Sequence, residues 1–111
     1  MLKMNETQIK NIFDEIPDDL ANEAFEELVS SKEFKLERII SKGHSSPKGF
    51  WYDQEKNEFV LLLSGSAKIS FENGESFELK PGDHLIIPPH KKHRVDWTDH
   101  EKKTIWLALH Y

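Results

Sequence analysis

The chain has 111 residues, 32% of them charged and 37% hydrophobic, enough for one domain with a core and too few for two. Its net charge is −5, and only Lys91, Lys92 and Arg94 cluster as bases, which argues against a phosphate-tracking surface and a nucleic-acid partner. The absence of cysteine removes disulfides, thiolate metal sites and a Cys nucleophile.

Acids and amides by position 6 leave no apolar signal region, and no apolar run approaches the ~20 residues of a membrane span. A cytoplasmic protein is expected. Residues 1–33 read as an N-terminal helical arm. In Pro17-Asp18-Asp19-Leu20 the proline suits a helix start and the carboxylates suit its positive end. Leu20, Ala21, Ala24, Phe25, Leu28 and Val29 then recur at helical spacing, opposite Asn22, Glu23, Glu26 and Glu27. Ile9, Ile12, Phe13 and Ile16 suggest a shorter helical turn ahead of it. The acidic polar face points to a lid over a sheet edge or a subunit contact, not to a membrane helix.

From residue 34 to 111 the period is two. Phe34, Leu36 and Ile40 share one face with Arg38, opposite Lys35, Glu37 and Ser41, although Ile39 blurs the alternation. A charge on an inner strand face needs a partner, so Arg38 stands out. Gly43 to Gly49 is turn chemistry. Glu58 to Leu63 is an apolar strand, Ala67 to Glu72 alternates, and Asn73-Gly74 predicts a hairpin of the type in which both central residues take positive φ. Phe77 and Leu79, Leu85 to Ile87, and His93, Val95 and Trp97 supply further short strands. Ile105 to Tyr111 closes the chain with apolar residues on both faces. One of those faces must be covered by the arm or by a second subunit, so a homodimer is expected. Seven or eight short strands between Gly, Pro and Asn turns indicate a sandwich or small barrel.

Two spacings carry a resemblance. Gly82, Pro88, His90 and His93 follow the spacing of the second cupin motif, a glycine, a proline, a second glycine and a metal-ligating histidine. Glu58 and Gly65 match the second half of the first motif. The chain thus resembles a small single-domain cupin: an all-β, jelly-roll β-barrel over residues 34–111 with the helical arm ahead of it. The departures are specific. The usual His-x-His pair before the glutamate is replaced by Tyr52 and Gln54, or by Trp51 and Asp53 at the longer spacing. His90 stands at the second glycine, and Trp97 at a usual asparagine.

The resemblance implies a lumen that binds a small molecule, with or without a divalent metal (zinc, manganese, nickel or iron). Only Glu58 and His93 match the usual ligands. Gln54 is the neighbouring oxygen donor that completes a partial metal set, with Tyr52, His110 and the weaker His44 as further candidates. The competing reading pairs Glu58 with Arg38 and leaves His93 a hydrogen-bonding role. Arg38 otherwise offers a planar fork to an anion. Trp51, Tyr52, Trp97 and His110 are the other candidates to line a ligand site, and Tyr52 and His93 are the candidate acid and base of an epimerase-like reaction. His84 is expected to be exposed, and His90 with Lys91 and Lys92 to form a rim loop. Enzyme and metal-free binding module both stay open, the latter for a small anionic or sugar-like ligand.

Overall fold

The computed structural model describes residues 7–111. Eight strands form the body: β1 Ala24–Ser30, β2 Lys35–Ser41, β3 Glu58–Ser64, β4 Ala67–Phe71, β5 Ser76–Leu79, β6 His84–Ile87, β7 His93–Thr98 and β8 Thr104–His110. Five build one sheet in the order β1-β2-β8-β3-β6, three build the other in the order β5-β4-β7, and every pairing is antiparallel. The two sheets face each other over a core of Val60, Leu62, Ala67, Ile69, Phe71, Leu79, Ile87 and Trp106. The all-β jelly-roll expectation holds.

The helical arm does not. Residues 1–6 of it lie outside the described residues; across 7–33 there is no helix, and Ala24–Ser30 is the edge strand β1. Its backbone pairs with β2 from Ala24↔Ile40 to Ser30↔Lys35, with a bulge between Glu27 and Val29. The bulge puts Leu28 out of step and so hides the period of two. Tertiary pairing overrides a pattern that suits a helix on spacing alone. Residues ahead of β1 run irregularly against the outer face of the five-stranded sheet, where Arg38 binds the carbonyls of Ile12, Asp14 and Glu15.

The faces of β2 are also the reverse of the expectation. Glu37, Ile39 and Ser41 face the lumen, in register with Ala108, Trp106 and Thr104. The apolar parity, Leu36 and Ile40 with Arg38, faces outward, where the chain ahead of β1 covers part of it. Ile39, which blurs the alternation, is the true inner apolar residue.

Two turns tie these strands. Gly65 has φ of 85°, and a Cβ there would fall 2.4 Å from Thr104 Oγ1 and 2.6 Å from its Cα, so the β3–β4 turn packs directly on the start of β8. The hairpin at Asn73-Gly74 forms, but only Gly74 takes positive φ, and its N–H binds the Phe71 carbonyl at 3.0 Å. This is a turn closed by one left-handed residue, not the two-residue form with positive φ at both centres.

Candidate ligand site in the barrel lumen

Register gathers polar side chains at one end of the barrel. Glu58 opens β3 and pairs with Ile87 of β6 on one side and His110 of β8 on the other. His93 opens β7 opposite Phe71. Farther along β3 the inward residues become Val60 and Leu62, both buried, so the polar groups sit on an apolar floor. The space between the sheets is a cavity of ≈ 70 Å³ lined by Glu23, Glu37, Tyr52, Gln54, Glu58 and His93, among others. That is room for on the order of five waters, or a compact organic group.

His93 is held on every side. Tyr52 and His93 exchange backbone hydrogen bonds, N–H to carbonyl, at 2.7 and 3.1 Å. Their rings stack with centroids 5.6 Å apart. His93 Nδ1 donates to the Lys91 carbonyl at 2.9 Å, which fixes Nε2 as the nitrogen toward the lumen, 3.4 Å from Glu58 Oε1. Burial works to lower the His93 pKa, but the Glu58 carboxylate and the Lys91 carbonyl outweigh it and raise it above the ordinary value. Burial raises the Tyr52 phenol, assisted by the charges of Glu23, Glu58 and Glu37, so Tyr52 remains a proton donor at neutral pH.

A second acid–imidazole pair lies beside the first. His110 Nε2 is 2.9 Å from Glu37 Oε1, and this bond, against the opposing effect of burial, lowers the Glu37 pKa. Glu23, just ahead of β1, accepts a hydrogen bond from Ser41; burial raises its pKa although Ser41 works the other way. Glu37, Glu23 and Phe25 are lining residues that sequence reasoning missed. Ile39 was the available signal for Glu37, because inward Ile39 requires inward Glu37.

Gln54 is positioned by the loop that departs from the motif. His90 takes φ of 62°, in the left-handed region that a glycine would adopt at least cost. From there its N–H binds the Gln54 carbonyl at 2.7 Å and its Nδ1 lies 2.8 Å from Asp53 Oδ1. Gln54 is one of the residues around the cavity, and its Oε1 is buried without a hydrogen-bond donor among the described residues. A buried acceptor left unmatched beside a cavity is open to a water or a ligand group once the side chain turns toward it.

The structure therefore brings together Tyr52, Gln54, Glu58, His93 and His110, and leaves three expected residues outside the lining. Arg38 points to the outer face and pairs with Glu26 at 2.6 Å, which overturns both its pairing with Glu58 and its role as an anion fork in the lumen. Trp51 lies beyond the lining with the Arg94 guanidinium 6.0 Å from its ring. Trp97 is 41% exposed because a shift in register between Lys68 and Ile69 pairs it with outward Lys68. It borders a separate hollow with Ser66, Leu79 and Lys80. His84 is exposed as expected, and His44 binds the Ala21 carbonyl region instead of the lumen.

Among the described residues, no three His, Cys, Asp or Glu side chains converge so as to hold a metal ion. Each lumen imidazole is already engaged by a carboxylate, and the adjoining donor, Gln54, is a neutral carboxamide. This donor set does not fit a resident divalent metal of the usual cupin kind.

Comparison with known proteins agrees with this architecture. The family model described as "Cupin domain" matches residues 37–110. No curated protein matches the chain. A crystal structure from Ralstonia eutropha JMP134, provisionally named a mannose-6-phosphate isomerase, is 44% identical with a TM-score of 0.90, covering 94% of this chain and 97% of that one. A cupin superfamily protein from Desulfitobacterium hafniense DCB-2 shares the fold at 21% identity and TM-score 0.71, over 86% and 82% of the two chains. An RmlC-like cupin with a double-stranded β-helix fold from Methanocaldococcus jannaschii does so at 15% identity and TM-score 0.69, over 97% and 92%. With the domain spanning most of its length and 44% identity to a relative of nearly equal extent, the chain belongs to the cupin family.

Proposed function

We propose that this cupin binds a compact polar small molecule in its lumen without a resident metal. The observation that carries this reading is the cavity of ≈ 70 Å³ lined by Glu23, Glu37, Tyr52, Gln54, Glu58 and His93, beside which Gln54 Oε1 is buried with no donor among the described residues. A ligand hydroxyl or amine supplies the missing bond and recovers what an unmatched acceptor costs, about 1–3 kcal/mol. Binding stabilises the native state by mass action. A rise in Tm across a metabolite panel, present in wild type and reduced in Gln54→Leu, is the expected result. A flat panel, or a response that depends on added zinc, manganese, nickel or iron, overturns it.

A second reading adds chemistry, favoured by the Glu58–His93 pair beside Tyr52. The relative from Ralstonia eutropha is provisionally named for an isomerase, and aldose–ketose interconversion is redox-neutral proton transfer. With Nε2 deprotonated, His93 takes a proton from carbon next to a carbonyl. The C–H electron pair becomes an enediol double bond while Tyr52 protonates the carbonyl oxygen. His93 then returns a proton to the neighbouring carbon as the other enediol hydroxyl gives its proton to the Tyr52 phenolate, which forms the new carbonyl and restores both groups. Glu58 stabilises the imidazolium that forms. Solvent-derived deuterium in the recovered sugar, lost in His93→Gln and Tyr52→Phe, tests this step. Recovery of unlabelled sugar from the wild type excludes it.

A further inference from the structure

We infer that the lumen is built for an amine-bearing ligand and discriminates against phosphate esters; this rests on the small-molecule reading above and names its substrate class. Among the described residues, the lining carries three carboxylates, Glu23, Glu37 and Glu58, two imidazoles, His93 and His110, and no lysine or arginine. Each imidazole is already matched to a carboxylate, His93 to Glu58 and His110 to Glu37. Even with both protonated, their charges only offset their own partners, and Glu23 remains as a further acid. The wall is neutral or negative as long as Glu37 and Glu58 stay ionised.

The cations near it are committed elsewhere. Lys35 stands half-exposed outside the lining with Nζ 3.7 Å from Glu37 Oε2. Arg38 is bonded on the outer face. Arg94 donates to the carbonyls of Ser46 and Pro47 and to Asp96. Lys91 meets Glu75. A phosphate entering the lumen would lose its hydration and meet carboxylates with no fork or ammonium to replace it.

The hydrogen-bond inventory points the same way. Gln54 Oε1 has no donor, and the 3.4 Å approach of His93 is a long contact that leaves Glu58 with accepting capacity. The lining donors are the Tyr52 hydroxyl, the Gln54 amide and the imidazoles, and three carboxylates face them as acceptors; an ammonium group brings those carboxylates three donors and no acceptor.

The test uses size-matched probes on two skeletons, titrated by calorimetry against the full chain at low salt. The trios are serinol, glycerol and glycerol 3-phosphate, and mannosamine, mannose and mannose 6-phosphate. On at least one skeleton the amine is expected to bind about tenfold tighter than the alcohol, as a charge-assisted bond requires, with the phosphate weakest. Glu37→Gln is expected to narrow the amine-to-alcohol ratio severalfold. A phosphate ester that binds as tightly as the amine overturns the inference and leaves the small-molecule reading standing. Silence of all six overturns both.

Discussion

Glu37 and Arg38 are neighbours on β2, both buried, and they point to opposite faces of one sheet. Outside, Arg38 donates to the carbonyls of Ile12, Asp14 and Glu15 at 2.9, 2.7 and 3.3 Å and to Glu26 at 2.6 Å, leaving only its Nε without an acceptor. Glu15 reaches this position with φ of 55°, so the backbone itself is bent around the guanidinium. Inside, Glu37 is matched by His110, and its neighbour Glu58 by His93. The outer charge is fastened by main-chain atoms that cannot titrate. The inner charges are matched by groups that can, beside an acceptor that has no partner. One face fixes the fold and the other remains responsive.

The largest effect expected from this contrast is on the outside. Arg38→Met should lower stability by about 2–4 kcal/mol, the loss from breaking a buried pair discounted because Glu26 is partly solvated. The variant strands three carbonyls and releases the segment ahead of β1. Glu26→Gln should cost far less, about 1 kcal/mol, because the carbonyls still hold the guanidinium. Denaturant titration measures both. Equal losses would show that the carboxylate, not the backbone, secures Arg38.

Inside, the readout is pH. The raised His93 pKa means that its contribution is fully present below the unfolded value of 6.5 and is lost as pH rises through the folded one. The lowered Glu37 pKa gives the opposite limb, present above the unfolded value of 4.5 and lost as pH falls through the folded one. Stability contributed by the two pairs is therefore complete between those unfolded values and declines on either side. Glu58→Gln should abolish the alkaline limb and lower the His93 ring titration in NMR, because burial, the largest influence, is then opposed only by the Lys91 carbonyl, with little change on the acid side. An unaltered His93 titration would remove Glu58 as its partner.

The outer face also carries an apolar row through all five strands, Val29, Leu36, Leu109, Phe59 and Ile86, joined residue to residue by the register, exposed at Val29 and Ile86 and partly buried between them. We propose that a second copy of the chain covers it. Four strands of seven residues and one of four offer a plan area of roughly 500 Å², before side-chain relief, against the ~800 Å² per partner of a standard interface. Sedimentation should show a dimer that Phe59→Lys dissociates; a wild-type monomer at high concentration would exclude it.

Much of this was legible from residues alone. Glu58, His93, Tyr52 and Gln54 could be placed because two motif spacings and a period of two converge on them. Arg38 and Trp97 could not, because parity does not say which face of a strand is the inner one, and one register shift reverses every residue beyond it. The acids Glu23 and Glu37 enter the lumen through the chain reversal around β1, a strand whose own bulge disguises it as a helix. The Glu37–His110 pair depends on the β2–β8 pairing of distant segments, which local sequence does not encode.

The smallest effect concerns His90, where the motif has a glycine and this chain does not. Holding a non-glycine residue left-handed costs about 1–2 kcal/mol. His90→Gly removes that cost but adds about 0.5–1 kcal/mol of chain entropy and loses an exposed side-chain hydrogen bond to Asp53 worth about 1 kcal/mol or less. The net change in stability should therefore be near zero. His90→Ala keeps the strained backbone and loses the bond, so it should be the less stable of the two. Binding separates the roles further. His90 ties Asp53 through its ring and Gln54 through its backbone N–H. The glycine variant retains the second tie alone, so Gln54 should be less firmly held and ligand affinity a few-fold weaker at unchanged Tm. If Tm and affinity instead fall together, His90 is a structural residue of the turn and does not position the lumen's unmatched acceptor.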